Sequence, residues 1–431
     1  MNNKFLFGVA TSSHQNEGNN YLNNWWDWEV KNNLERSGVA CNSWIDYRKD
    51  IDCVKELGCN SYRFSIEWSR IFPTERKVDE GALEKYEAMI DYCLENDIEP
   101  VVTLHHFTRP KWFDRRYGGI HSDEIMEYFG KYVREVVEKI GGKVRWWITF
   151  NEPMLECVNG YLRGTRPPGM NGNFEMMYKA LVNIIDCHCL AYDIIKEKNP
   201  DAMVSIAKNL VDFEKQYNYD LVKSRIEDQV IENFNWGLLD AFYHGEFRFG
   251  INLAGIGMKK VRREERWRGK MDFLGINHYN VGYVEIKYST QNPINVVLRK
   301  KERGFNKNFL GWDIKPKSMN VVLDMVMGRY GGIPVMITES GGCEKNDSRS
   351  KTPVHNEIME THLKSVMEHR SEYGNIIGYM WWTLVDNFEW DDGWKPKFGL
   401  YKLIEKDGKL FRKIKGSGKK YQEIIKNYKE N

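Results

Sequence analysis

The sequence predicts an α/β fold, a single-domain (β/α)8 barrel taking in residues 1–431. Three observations carry that prediction. Short apolar, β-prone runs recur eight times, with helix-like stretches between them. No Pro/Gly/Ser-rich linker, short repeat or low-complexity tract divides the chain. Polar and aromatic clusters follow most of the runs directly, where a barrel carries its functional βα loops. By count alone, a doubly wound open sheet is the competing architecture.

The runs, in order, are FLFGVA at 5–10, SYRFSI at 61–66, PVVTL at 100–104 and VRWWITF at 144–150. MVSIAK follows at 203–208, DFLGI at 272–276, PVMIT at 334–338 and IIGYMWWTL at 376–384. Most are apolar on both faces, as parallel strands covered by helices must be. Between them, 79–97 places Leu83, Tyr86, Met89, Ile90 and Cys93 at three- and four-residue steps, an amphipathic helix. The stretch 122–142 reads as another, with Ser122 as its N-cap and glycines at its end. Directly after the runs come TSSHQNEG, His105-His106, Asn151-Glu152-Pro153, Asn277-His278-Tyr279, Glu339-Ser340-Gly341-Gly342 and Asp386-Asn387-Phe388-Glu389-Trp390.

Composition narrows the function classes. A hydrophobic fraction of 42% supports a large core and argues against disorder. Lys+Arg 63 against Asp+Glu 61 leaves no electrostatic footprint for nucleic acid or an anionic membrane. No apolar run reaches a membrane span, and 5–10 is too short for an export-signal core, so a cytoplasmic location is expected. The 8 cysteines form no CxxC pair and read as buried thiols of a reducing compartment. Cys187-His188-Cys189 lies in a helical pattern, where positions i and i+2 face different ways, and is not read as a metal site. GIGMKK at 255–260 is too weak for a nucleotide loop, and the basic stretch 259–270 is read as a solvated loop or helix end. Most of the 15 tryptophans are expected to fill the core, although flat aromatic faces also suit sugar rings.

Glu152 and Glu339 are lone carboxylates directly after apolar strands four and seven. Strand ends hold side chains rigidly, as positional catalysis requires. Cleavage of a glycosidic bond needs a proton for the leaving oxygen and a negative group beneath the anomeric carbon, and two carboxyls supply both. Spacing alone does not say which is which.

TFNEP at 149–153 and ITESGG at 337–342 resemble the acid/base and nucleophile motifs of glycoside hydrolase family 1. FLFGVATSSHQNEG at 5–18, GCNSYRFSIEWSRIFP at 58–73, VTLHHFTRPKW at 102–112, DFLGINHYN at 272–280 and WWTLVDNFEWDDGWKPKFGLY at 381–401 are similar to further family motifs, in family order. The resemblance implies a (β/α)8 barrel that hydrolyses β-glucosides, and also β-galactosides or β-fucosides, with retention. It implies Glu152 as acid/base and Glu339 as nucleophile, held ionised and oriented by Arg63 and Tyr279. It places Asn151 at the sugar 2-hydroxyl and Gln15, His106, Glu389 and Trp390 at the other glycone hydroxyls. Trp382 becomes the platform under the sugar, Phe398 the wall near carbon six and Asn277 part of the inner polar shell. Partners are then small β-glycosides or short oligosaccharides, with no metal and no other cofactor. An anionic Glu389 is expected to repel a phosphate, which favours non-phosphorylated substrates over 6-phosphoglycosides. Transfer of the glycosyl group to another sugar uses the same residues. A silent sugar-binding barrel would lack a catalytic Glu, and both are present.

Glu67 is read as an ordinary core ion-pair partner of Arg63, and His105 as a packing residue facing away from His106. Several positions depart from the family pattern: Phe7, Asn16, CNSWIDY at 41–47, Phe107 and His278. Asn16 and Phe107 are expected at the pocket rim, where they bear on sugar preference. Shortened βα loops and an open aglycone side are expected too.

Overall fold

The eight apolar runs become eight parallel strands: β1 (Leu6–Ala10), β2 (Ser61–Ser65), β3 (Glu99–His105), β4 (Trp146–Asn151), β5 (Met203–Asn209), β6 (Leu274–Asn277), β7 (Val335–Ser340) and β8 (Ile376–Trp382). The computed structural model describes residues 4–253, 256–279, 281–287, 295–298, 306–345 and 353–430. Gly255 and Asn280, at the ends of two motifs quoted above, lie outside them. Each strand pairs with its sequence neighbours, and β8 pairs with β1, so the sheet is a closed barrel and not an open doubly wound one.

A long helix follows each strand around the outside, with shorter helices in several of the connections: α1 (Ser43–Glu56), α2 (Glu80–Glu95), α3 (Ile125–Ile140), α4 (Phe174–Lys198), α5 (Leu221–Asn235), α6 (Ser318–Tyr330), α7 (Pro353–Tyr373) and α8 (Gly416–Glu430) are the long ones. The α2 helix buries the residues its periodicity picked out, and Asp79 caps it by accepting from Ala82 N–H. The α3 helix starts later than expected: Glu124 is its N-cap residue, and Ser122 accepts from Glu124 N–H two residues short of the first turn.

Strand alternation divides the core into two layers. Leu6 and Ala10 point into the barrel with Val101, Trp146, Ile148, Met336 and Met380, while Phe7 and Val9 pack outward against the helices. All eight cysteines are buried free thiols, as their spacing suggested. The basic stretch at 259–270 departs from its expected form: 256–263 is a strand paired antiparallel with Glu246–Leu253, and Trp267 beyond it is fully buried, donating to Asp186. Alternating side chains let one face of such a strand carry charge while the other packs.

Candidate active site

Both lone glutamates sit where strand register breaks. On β4, Ile148 opposes Ser205 but the next partners are Asn151 and Ala207, a register shift. Ile148 points inward, Thr149 bonds outward to His188, and Phe150 also packs outward. The shift returns Asn151 to the interior, where strict alternation would have turned it out. A second shift, between Ile337 and Glu339 on β7, puts both Thr338 and Glu339 on the inner side. Glu152 then takes left-handed backbone at φ 43, ahead of Pro153. That conformation is rare for a residue with a side chain, and its N–H is held on Ala207 O at 2.8 Å.

Arg63 from β2 crosses the interior, fully buried. Its guanidinium donates to Glu339 Oε1 at 2.6 Å, to Asn151 Oδ1 at 2.7 Å and to Thr103 Oγ1 at 3.0 Å. Tyr279 donates its hydroxyl to the other oxygen of Glu339 at 2.5 Å. Asn277 accepts from Thr338 through Oδ1, which aims its amide nitrogen at Asn151 Oδ1 (3.0 Å) and Glu152 Oε1 (3.1 Å). These donors fix the Asn151 amide, so its nitrogen faces His106 Nε2 at 3.2 Å. His106 Nδ1 is then a buried N–H with no protein partner among the described residues. The ring is neutral, because burial pulls its pKa well below the ordinary range.

The two carboxyls differ in proton state. Burial, and then the Glu339 charge, push Glu152 up to about 7, with the Asn277 hydrogen bond opposing. Burial raises Glu339 as well, but Arg63 and Tyr279 favour its anion. The proton of the pair therefore resides on Glu152, which has no cation in contact among the described residues. Glu389 is pushed up to about 8 by burial, against the hydrogen bond from Trp382 Nε1 at 3.2 Å. The upward shift weakens the standing negative charge expected there, and with it the repulsion of phosphate.

Aromatic rings wall the site. His106 lies nearly parallel to Trp382 and Trp390, at centroid distances of 5.8 and 6.2 Å. Trp390 packs on Trp25 at 4.6 Å, with Phe107 edge-on to it. Phe398 packs beside Tyr279 and Trp312. Gln15 is fully buried, accepting from Ser12 and donating to Phe388 O.

Three expectations are corrected by these contacts. Glu67 does not pair with Arg63; Ser13, Ser69 and Thr108 donate their hydroxyls to it. Asn16 is not at the rim, being buried and bonded to Asn387 and Cys41. Phe107 is part of the buried aromatic wall, not of the rim. His278 faces away from the pocket, onto Leu210 O and Ser318. His105 also faces away, as expected, but it binds Glu156 at 2.9 Å and so does more than pack. His188 uses both ring nitrogens, on Thr149 and Lys270 O, and no group of three metal-type ligands occurs among the described residues.

Sequence reading missed Trp25, Trp312 and Arg166. Arg166 lies over the Trp25 and Phe107 rings and pairs with Asp391 at 2.8 Å.

A proton donor and an anion fixed on different strands of a barrel mouth are the equipment of glycosidic bond cleavage, and the class this fold and site define is the glycoside hydrolases. The family model described as glycosyl hydrolase family 1 matches residues 1–430, and the chain belongs to that family. It is 30% identical to β-glucosidase A of Thermotoga maritima, over 98% of this chain and 97% of the relative. It is 31% identical to β-glucosidase 4 of Oryza sativa, over 98% and 94%. Among solved structures, it resembles a β-glycosidase from Pyrococcus horikoshii at TM-score 0.85 and 34% identity, covering 98% of this chain and 93% of the other. The Thermotoga maritima β-glucosidase in complex with deoxynojirimycin gives TM-score 0.83 and 28% identity, covering 98% of each.

Proposed function

We propose that this glycoside hydrolase is a retaining β-glucosidase with Glu339 as nucleophile and Glu152 as acid/base. The observation that carries the reading is the split in proton state: Glu152 near 7 without a cation in contact, Glu339 clamped by Arg63 and Tyr279. Glu339 attacks the anomeric carbon as the bond to the leaving oxygen breaks, and Glu152 gives that oxygen its proton. Water then gives a proton to Glu152 and attacks the same carbon, releasing Glu339. An acceptor sugar in place of water makes the step a transglycosylation.

Asn151 is the donor for the 2-hydroxyl, where a hydrogen bond strengthens in the transition state. The unpartnered Nδ1–H of His106 and the carboxyl of Glu389 take other glycone hydroxyls, with Gln15 and Trp390 beside them. Trp382 is the platform, Phe398 the wall near carbon six, and Asn277 the amide that orients Glu152. The β-glucosidase names of the relatives support glucose as the primary glycone; non-phosphorylated β-galactosides and β-fucosides are the further substrates that the family resemblance implies. Proton NMR of an aryl β-D-glucoside digest tests the reading. The β-anomer of glucose should appear first; the α-anomer would show inversion, and no release would mean another glycone or a protein that only binds, which the same digest of other aryl β-glycosides separates.

A further inference from the structure

The turn after β8 carries Trp390 on left-handed backbone, at φ 49. A bulky residue rarely takes that conformation and keeps it only where its surroundings impose it. Within the turn, Glu389 N–H is bonded to Gly393 O at 2.7 Å and Asp392 N–H to Glu389 O at 2.8 Å. At its far end, Glu35 accepts from Trp394 N–H at 3.0 Å. His14, bonded to Glu29, lies nearly parallel to the Trp390 indole at 5.5 Å.

A further support reaches the turn from the connection between β4 and α4. Arg166 is set there by a turn of its own, with Gly169 N–H bonded to Arg166 O at 2.8 Å. Its guanidinium donates to Asp391, the residue after Trp390, at 2.8 Å. The same group stands 5.7 Å from the centre of the Trp25 ring and 5.8 Å from that of Phe107. Those two rings pack on Trp390, at 4.6 and 5.3 Å. One side chain thus touches the chain neighbour of Trp390 and two rings of the wall around it. Arg166 and Asp391 are partly exposed, at 17% and 34% of their side chains. A pair so open to water adds little to global stability, so its effect is local.

We propose that Arg166 and Asp391 are positioning residues for the glycone site: their ion pair clasps the connection after β4 to the turn after β8 and holds Trp390 in place for the sugar. The inference rests on the reading of Trp390 as a glycone contact, and its test separates the two. Without the clasp, the turn relaxes from its left-handed conformation and the indole leaves its place. Glu152 and Glu339 keep theirs, because Ala207 O holds the one and Arg63 with Tyr279 the other. Sugar binding therefore weakens more than the chemical steps do.

The test is steady-state kinetics with 4-nitrophenyl β-D-glucoside for the wild type, R166M, D391N, the double variant and W390A. In each single variant of the pair, KM should rise about five- to tenfold while kcat changes by less than about threefold. The double variant should do no worse than the singles, because all three remove one interaction. Melting temperature should move by no more than about 2 °C in either single variant. The charge of Arg166 also acts on Glu152 and Glu389, and D391N keeps that charge while breaking the clasp. A KM raised in R166M but not in D391N would assign the effect to charge alone and overturn the clasp. So would a KM unmoved in both variants while W390A raises it. A KM unmoved in W390A overturns the glycone reading of Trp390 and this inference together.

Discussion

Glu152 and Glu339 are chemically the same side chain, and their difference comes from what touches each. A guanidinium at 2.6 Å and a phenol at 2.5 Å favour the anion of Glu339, whereas Glu152 has one amide N–H and a negative neighbour. In the acid/base role proposed for Glu152, its pKa of about 7 sets the pH dependence. The leaving oxygen needs the protonated form, which is lost as pH rises through that value. The rate of cleavage of a poorly activated glucoside should therefore fall above pH about 7, read as the basic limb of kcat/KM. Glu339→Ala should lose several orders of magnitude in turnover while keeping its fold, checked by steady-state kinetics beside circular dichroism. Arg63→Met should cost about 3–5 kcal/mol in denaturant unfolding as well as activity, because it leaves a buried Glu339 without its cation and takes one of two donors from the Asn151 oxygen.

Strands and the turns after them do the aiming. The register shifts on β4 and β7 occur within two or three residues of the two carboxyls, and each moves a polar side chain to the barrel interior that plain alternation would have turned outward. The short helix Pro153–Cys157 behind Glu152 is anchored at Glu156, which accepts from Arg109 at 2.5 Å and binds His105 at 2.9 Å. His105, then Arg109, hold that carboxyl down to about 2 despite its burial. A depressed carboxylate contributes stability that is present above its unfolded value, about 4.3, and lost as pH falls through about 2. Glu156→Gln should thus remove on the order of 3 kcal/mol at neutral pH and flatten the acid limb of the unfolding profile. Close approach between β6 and β5 depends on Gly275, where a Cβ would sit 2.5 Å from Ile206 O. Gly275→Ala should lower stability by about 1–3 kcal/mol in thermal unfolding, through strand displacement.

At the scale of the whole molecule, the barrel was legible because its signal is repetitive. Eight apolar runs bounded by polar clusters survive errors of a residue or two at each end, and β1 to β8 fall on the runs read from the sequence. The two glutamates were legible because each directly follows such a run. What stayed hidden depends on contacts between segments distant in the chain. Glu67 is left to hydroxyl donors because β2 aims Arg63 across the interior at Glu339, the partner the family resemblance implied. Burial of Glu389 shifts its proton in a way no local pattern reveals. Register shifts leave no mark on the composition of β4 or β7.

The central claim, a covalent double displacement through Glu339, is tested most directly by trapping its intermediate. The protein is incubated with 2,4-dinitrophenyl 2-deoxy-2-fluoro-β-D-glucoside, digested with pepsin and analysed by tandem mass spectrometry. One fluoroglucosyl group should be found as an ester of Glu339 in the peptide carrying ITESGG. Attachment to another residue, or turnover to the α-anomer with no labelled peptide, would contradict it.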